Sequence, residues 1–193
     1  LTKEEKEKLR KVLIKKRSSL PKVEIEKRSQ LVQQNLFSLK LYQKATWIMF
    51  YLSLPSEVNT DKMLTDSLRK GKKIAVPVIR GKDLIPCLLT QLYQTQIKSF
   101  GLREPLDFHP VPKRQLELII VPGCGFDLQG YRLGFGQGYY DRFLKDLKGK
   151  VPLVGLAFDF QVLKEIPHEK EDVPLDFIVS EKKIYCAFDF RPM

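Results

Sequence analysis

At 193 residues the chain has the length of one domain with a sizeable core, and its 43% hydrophobic, 30% charged composition is that of a globular protein. Its longest clean apolar run, Trp47 to Leu52, is far too short for a membrane span, and the charged, helical pattern of Leu1–Leu20 is not that of a secretory leader. The net charge of +11 is concentrated in residues 1–40, where twelve Lys and Arg face five Glu; Glu4, Glu5 and Glu7 break the run, which favours a solvated helix face over a nucleic-acid arm, and contact of a few of these cations with a small anion is a third reading.

Thr2 with Glu5 reads as a capping box opening a first helix, whose apolar face is marked by Leu9, Val12, Leu13 and Leu20 and which ends at Pro21. Ile25, Val32, Leu36 and Leu39 mark a second helix. Ala45–Leu52 reads as a strand, followed by the loop Ser53–Asn59 and a helix over Thr60–Lys70 that stops at Gly71. Lys73–Ile79 and Leu84–Leu89 read as strands joined by a turn, and Ser99–Lys113 as a long loop. Leu116–Val121 is a buried strand, Tyr139–Leu147 an amphipathic helix, Leu153–Ala157 a strand, Phe160–Glu165 a short helix, and Phe177–Val179 and Ile184–Phe188 the last strands. Alternation of helices with apolar strands predicts an α/β fold, a mainly parallel sheet covered on both faces.

In such a sheet ligands gather beyond the carboxyl ends of the strands. Two loops qualify, Ser53–Asn59 and Pro122–Gly138, and they are expected to open onto one cleft. The second holds six of the eleven glycines between Gly123 and Gly138. Gly134-x-Gly136-x-Gly138 is followed by Tyr139 where a dinucleotide fingerprint needs a further glycine, and no Gly-Lys-Ser/Thr of a P-loop occurs. Strand, glycine loop and helix still offer free N–H groups to an anion, although a glycine run is also ordinary turn chemistry. Arg132 can fork onto two phosphate oxygens. Asp141, in the first turn of the helix, either complements the helix dipole or holds a Mg²⁺ that bridges to phosphate. Asp176 is the candidate second carboxylate; its alternative is a polar strand start. Tyr140, Leu144 and Leu147 share a face directed at the core, whereas Tyr139 either packs or flanks a bound ring. Cys87, Cys124 and Cys186 are widely spaced, and His109 and His168 are the only histidines. That pattern excludes a disulfide framework and a zinc site and suits a reducing cytoplasm.

The run Pro122-Gly-Cys-Gly-Phe-Asp-x-x-Gly-x-Arg132-Leu-Gly-x-Gly-x-Gly-Tyr-Tyr-Asp141-Arg142 resembles the signature of the 5-formyltetrahydrofolate cyclo-ligase family, also called 5,10-methenyltetrahydrofolate synthetases. Lys6-x-x-Leu9-Arg10, Leu52–Thr60, Phe100–Pro105 and Pro167–Asp176 are similar to further family blocks in the same order, so the likeness runs end to end. The resemblance implies a three-layer α/β sandwich, a single domain over residues 1–193, and ATP- and Mg²⁺-dependent conversion of 5-formyltetrahydrofolate to 5,10-methenyltetrahydrofolate. It implies that Lys6, Arg10, Arg132, Leu133, Gly134, Phe135, Gly136, Gln137, Gly138, Tyr139 and Tyr140 bind ATP, with Arg132 and Tyr139 at the reacting groups. It further implies that Leu52, Glu57 and Tyr139 meet folate, and that Asp141 and Asp176 hold Mg²⁺. A cytoplasmic monomer acting on small molecules, with no nucleic-acid or membrane partner, is the expectation. The chain departs from the family pattern at Glu171, where His is frequent, and at Phe135 and Gln137, where many members carry a cation. The phosphate clamp is therefore expected to lean on Arg132 and backbone amides. A non-catalytic phosphate- or nucleic-acid-binding module using the basic N-terminus is the competing reading; it gains nothing from Glu57, Asp141 and Asp176.

Overall fold

The computed structural model describes residues 3–98 and 101–187. Three helices come first, α1 (Lys3–Ser18), α2 (Lys22–Ser38) and α3 (Lys40–Lys44). The expected capping box needs Thr2, which lies outside the described residues. Pro21 both follows α1 and serves as the N-cap of α2 with φ −60°, a position where its fixed φ and missing N–H cost little. The apolar face of α1 is narrower than its sequence suggests: Leu13 is buried, but Val12 is 62% exposed. α3 has only five residues, too few to register as a period.

The main sheet has seven strands: β1 (Trp47–Met49), β2 (Lys73–Arg80), β3 (Asp83–Leu89), β6 (Leu118–Val121), β9 (Leu153–Leu156), β11 (Phe177–Val179) and β12 (Ile184–Cys186). Their spatial order is β12-β11-β9-β6-β1-β2-β3. The five central strands run parallel, while β3 and β12 pair antiparallel at the two edges. The expected strand Ala45–Leu52 is regular only over Trp47–Met49, with Phe50 adding one more bond to the Ala75 carbonyl.

Both faces of this sheet are buried, which is why its central strands read as unbroken apolar runs. Leu118 and Ile120 face one core with Ile25, Val32 and Leu36 of α2 and with Met63 and Leu64 of α4 (Asp61–Arg69). Ile119 and Val121 face the other core with Phe126, Phe143 and Leu144, the last two on α5 (Tyr139–Leu144). Helices thus flank the sheet on both sides, as the alternation predicts. α5 is shorter than the expected Tyr139–Leu147.

Two stretches expected to be irregular contain strands. β5 (Arg103–Pro105), inside the supposed long loop whose first residues Ser99 and Phe100 lie outside the described residues, pairs antiparallel with β4 (Thr95–Ile97) just before it. The glycine-rich segment contains β7 (Gly125–Asp127) and β8 (Arg132–Leu133), which form a small sheet with β10 (Val162–Leu163). β10 takes the middle of the expected helix over Phe160–Glu165, and a single 3₁₀ turn, Asp159–Gln161, precedes it. Gln161 explains the change, because its side chain donates to the Cys124 carbonyl at 2.7 Å and accepts from the Phe158 N–H at 2.9 Å. Those bonds pull the chain alongside β7.

Candidate active site

From β1 the chain proceeds through α4 to β2 on one side, and later strands build outward from β6 on the other. The order therefore reverses between β1 and β6, and the loops leaving their carboxyl ends open a crevice there. Those loops are Ser53–Asn59 and the segment after Val121, the pair expected from sequence.

α1 lies across this crevice. It packs on the small sheet through Leu13, which forms an apolar cluster with Leu133 and Ile166. The approach is close: a Cβ on Gly125 would stand 2.5 Å from Leu13 Cδ1. Lys6, Arg10, Leu13 and Arg17 recur at helical spacing and so share the inward face.

Arg17 joins the two loops. Its Nε donates to Ser56 Oγ at 3.3 Å and its Nη1 to the Gly123 carbonyl at 3.3 Å, with Glu57 Oε1 at 3.6 Å. Both members of this ion pair are buried, with side chains 3% and 6% exposed. Glu57 Oε2 accepts the Leu54 N–H at 2.9 Å. Burial raises the Glu57 pKa above the usual carboxylate range, against the opposing pull of Arg17 and that N–H. Leu52, at 7% exposure, belongs to the core that also holds Tyr51 and Val58.

On the glycine side, Arg10 Nε donates to the Gly134 carbonyl at 2.8 Å, and its guanidinium lies next to Gly136. Lys6 is held by Glu169 and Asp172 at 3.0 and 3.5 Å. Gly136 and Gly138 have φ of +92° and +67°, a region where side chains are strained. Gly138 caps α5, and Arg142 locks the turn by donating to the Gln137 and Lys82 carbonyls. Phe135, Gly136 and Gln137 are exposed at the mouth of the loop. Leu133 is buried, so it offers a ligand only its backbone. Tyr139 reaches the turn between β2 and β3 through a long 3.4 Å bond to the Gly81 carbonyl, with Arg142 stacked on its ring. Tyr140 packs against the core as expected, but its hydroxyl is buried with no hydrogen-bond partner among the described residues. Burial pushes that phenol well above its usual pKa.

Arg132 and Asp141, expected to act separately on phosphate and metal, are paired with each other at 2.8 Å. Asp141 also accepts the Val173 N–H at 3.3 Å, and Arg132 donates to the Val173 carbonyl. The Asp141 side chain is 30% exposed. A single carboxylate with access to water and phosphate oxygens fits Mg²⁺, a hard cation that keeps several waters. Asp176 is engaged elsewhere: at the amino edge of β11 its carboxylate accepts the Leu153 N–H at 2.9 Å. This bond is what the strand-start alternative expects of Asp176.

Sequence reasoning missed three supports of the site. Arg17 was signalled by its place on the face of Lys6 and Arg10. Gln161, which also donates to the Gly123 carbonyl at 3.4 Å, gave no local signal. Asp127 was read only as part of a turn; buried, it accepts the N–H groups of Gln129, Tyr131 and Ile166, fixing the bend between β7 and β8.

Residues 2–181 match the model of the 5-formyltetrahydrofolate cyclo-ligase family. A 5-formyltetrahydrofolate cyclo-ligase of Haemophilus influenzae is 33% identical, over 85% of this chain and 91% of its own. Two solved structures share the fold. One is the NMR structure of Aquifex aeolicus 5,10-methenyltetrahydrofolate synthetase, with TM-score 0.84, 34% identity, and 97% of this chain and 95% of that one covered. The other is the synthetase from Mycoplasma pneumoniae, with TM-score 0.76, 26% identity, and 91% and 98% covered. The chain belongs to the 5-formyltetrahydrofolate cyclo-ligase family.

Proposed function

We propose that the protein uses MgATP to convert 5-formyltetrahydrofolate to 5,10-methenyltetrahydrofolate, releasing ADP and phosphate. The observation that carries this reading is the meeting at one crevice of an acid-bearing loop and a glycine-rich loop, both hydrogen-bonded to Arg17 of α1. One loop suits the N–H groups of a pterin; the other suits phosphate.

The formyl group is an amide, and its oxygen is a poor leaving group. The formyl oxygen attacks the γ-phosphorus of ATP, the bond to ADP breaks, and the oxygen becomes part of a phosphate ester. N10 then attacks the formyl carbon and loses its proton, the carbon–oxygen bond breaks, and phosphate departs. Glu57 accepts hydrogen bonds from the pterin, and Leu52 meets the folate through apolar contact. Lys6, Arg10 and residues 132–140 surround the phosphates, and Arg132 with Tyr139 faces the reacting groups. Because Lys6 and Arg132 are held by carboxylates, binding must exchange those partners for phosphate oxygens. Mg²⁺ held by Asp141 would neutralise charge on the transferring phosphoryl group. In this reading Asp176 fixes the starts of β9 and β11 instead of supplying a second carboxylate.

A polyanion-binding role fits less well, because Lys6, Arg10 and Arg17 turn inward toward the crevice. Three free cysteines suit a reducing compartment, and we place the activity in the cytoplasm, in a monomer. Mixing the protein with 5-formyltetrahydrofolate and MgATP tests the function directly. Appearance of the methenyl chromophore, dependent on both ATP and Mg²⁺, is expected; no product under those conditions overturns the reading.

A further inference from the structure

We propose that Arg17 is the positioning residue for folate: it keeps Glu57 ionised and aimed within the crevice, so that the carboxylate can receive the N–H groups of the pterin. This rests on the assignment of Glu57 to folate made above.

The geometry of the pair supports the role. A carboxylate whose side chain is 6% exposed is costly to keep charged, and Arg17, with Nη1 at 3.6 Å from Oε1, is the cation beside it. The same guanidinium fixes the neighbouring Ser56 Oγ at 3.3 Å, so it sets the loop as well as the charge. The exposed ring of Phe135, at the mouth of the glycine loop, has its centroid 5.9 Å from the guanidinium. The other polar groups near Glu57 come from three different segments: Tyr51 after β1, Cys124 of the glycine-rich segment and Tyr140 of α5. Burial raises both phenols well above their usual pKa and the Cys124 thiol to about 11, so all three stay neutral at physiological pH. None can replace Arg17 as a counter-charge.

Loss of Arg17 should act on folate and spare ATP. The Gly123 carbonyl keeps its second donor, Gln161, whereas Glu57 keeps, among the described residues, the Leu54 N–H alone. Without a cation the buried carboxyl takes up a proton and can no longer accept two N–H groups.

The test compares Arg17→Met, Arg17→Lys, Glu57→Gln and the double variant Arg17→Met/Glu57→Gln. In Arg17→Met the KM for 5-formyltetrahydrofolate should rise at least about tenfold at neutral pH, the loss of one charge-assisted hydrogen bond, with the KM for ATP changed less than about threefold. That folate KM should fall back as pH is raised from about 6 to about 9 and Glu57 ionises, a dependence the wild type lacks. Arg17→Lys should recover part of the folate KM. The double variant should regain the thermal stability that Arg17→Met loses, because no carboxyl has to be protonated in order to stay buried, yet keep the high KM. Two results overturn the proposal: a wild-type folate KM in Arg17→Met, or a raised KM that does not vary with pH. Should Arg17→Met not fold, a wild-type folate KM in Arg17→Met/Glu57→Gln overturns it, and a raised one with pH-dependent partial recovery in Arg17→Lys supports it. Glu57→Gln separates the premise: a wild-type folate KM there removes Glu57 from folate and this proposal with it, whereas a raised KM there with an unchanged one in Arg17→Met overturns the proposal alone.

Discussion

Asp141 and Asp176 show how residues of one type come to do different work. Both accept a backbone N–H, but Asp141 does so at the glycine loop, paired with Arg132, and Asp176 at the amino edge of the sheet. The neutral isostere Asp141→Asn keeps an acceptor for Val173 while removing the charge a metal needs. Turnover should fall about 10²- to 10³-fold, the scale of losing one electrostatic contact to a transferring group, and the Mg²⁺ requirement should shift to higher concentration. Asp176→Ala should instead leave the Leu153 N–H without that acceptor and cost about 1–3 kcal/mol of stability. Its turnover per folded molecule should stay near wild type. Steady-state kinetics against Mg²⁺, together with thermal melts of both variants, checks the pair. A loss of turnover in folded Asp176→Ala equal to that in Asp141→Asn would return Asp176 to the metal site.

Among the elements, those defined by their own sequence pattern were legible and those defined by a partner were not. Leu118–Val121 is apolar at every position because both faces of the sheet are covered, and it reads as a buried strand without help. Gly71, with φ +77°, stops α4 where glycine is expected to. By contrast β10 exists because Gln161 hydrogen-bonds across to the Cys124 carbonyl, and β5 exists because β4 is beside it; neither fact is local. The site divides the same way. The glycine loop and Glu57 announce themselves, whereas the mutual pairing of Arg132 and Asp141 depends on how a loop folds onto a helix. α1 carries a prediction of its own. Leu13 is 4% exposed and anchors the helix to Leu133 and Ile166, while the main cores lie elsewhere. Leu13→Ala should cost about 2–5 kcal/mol as a cavity and should loosen α1 before the sheet. Amide exchange in α1 should accelerate more than in β6 and β9, and the KM for ATP should rise as Lys6 and Arg10 lose their places. Equal acceleration throughout would show instead that α1 folds as one unit with the sheet.

At the scale of the molecule, the +11 net charge acts on encounter as well as on binding. Both proposed substrates are anionic, and a positive field raises their local concentration at a crevice. The paired cations cannot supply that field alone, because Lys6, Arg17 and Arg132 each have a carboxylate within 4 Å. The excess lies in the exposed lysines around them, such as Lys8, Lys11 and Lys15 on the outer face of α1. Exposed charges are screened over a Debye length, about 30 Å at 0.01 M salt and about 8 Å at 0.15 M. Raising ionic strength across that range should therefore lower kcat/KM for both substrates, by about tenfold. kcat should hold nearly constant, since buried pairs such as Arg17 with Glu57 are screened far less. Neutralising Lys8, Lys11 and Lys15 together should flatten the salt dependence without changing kcat. A kcat/KM that ignores salt would rule out steering by exposed charge, an undiminished salt dependence in the triple variant would place the steering outside this face of α1, and a kcat that falls in parallel would mean that salt reaches the ion pairs inside the crevice.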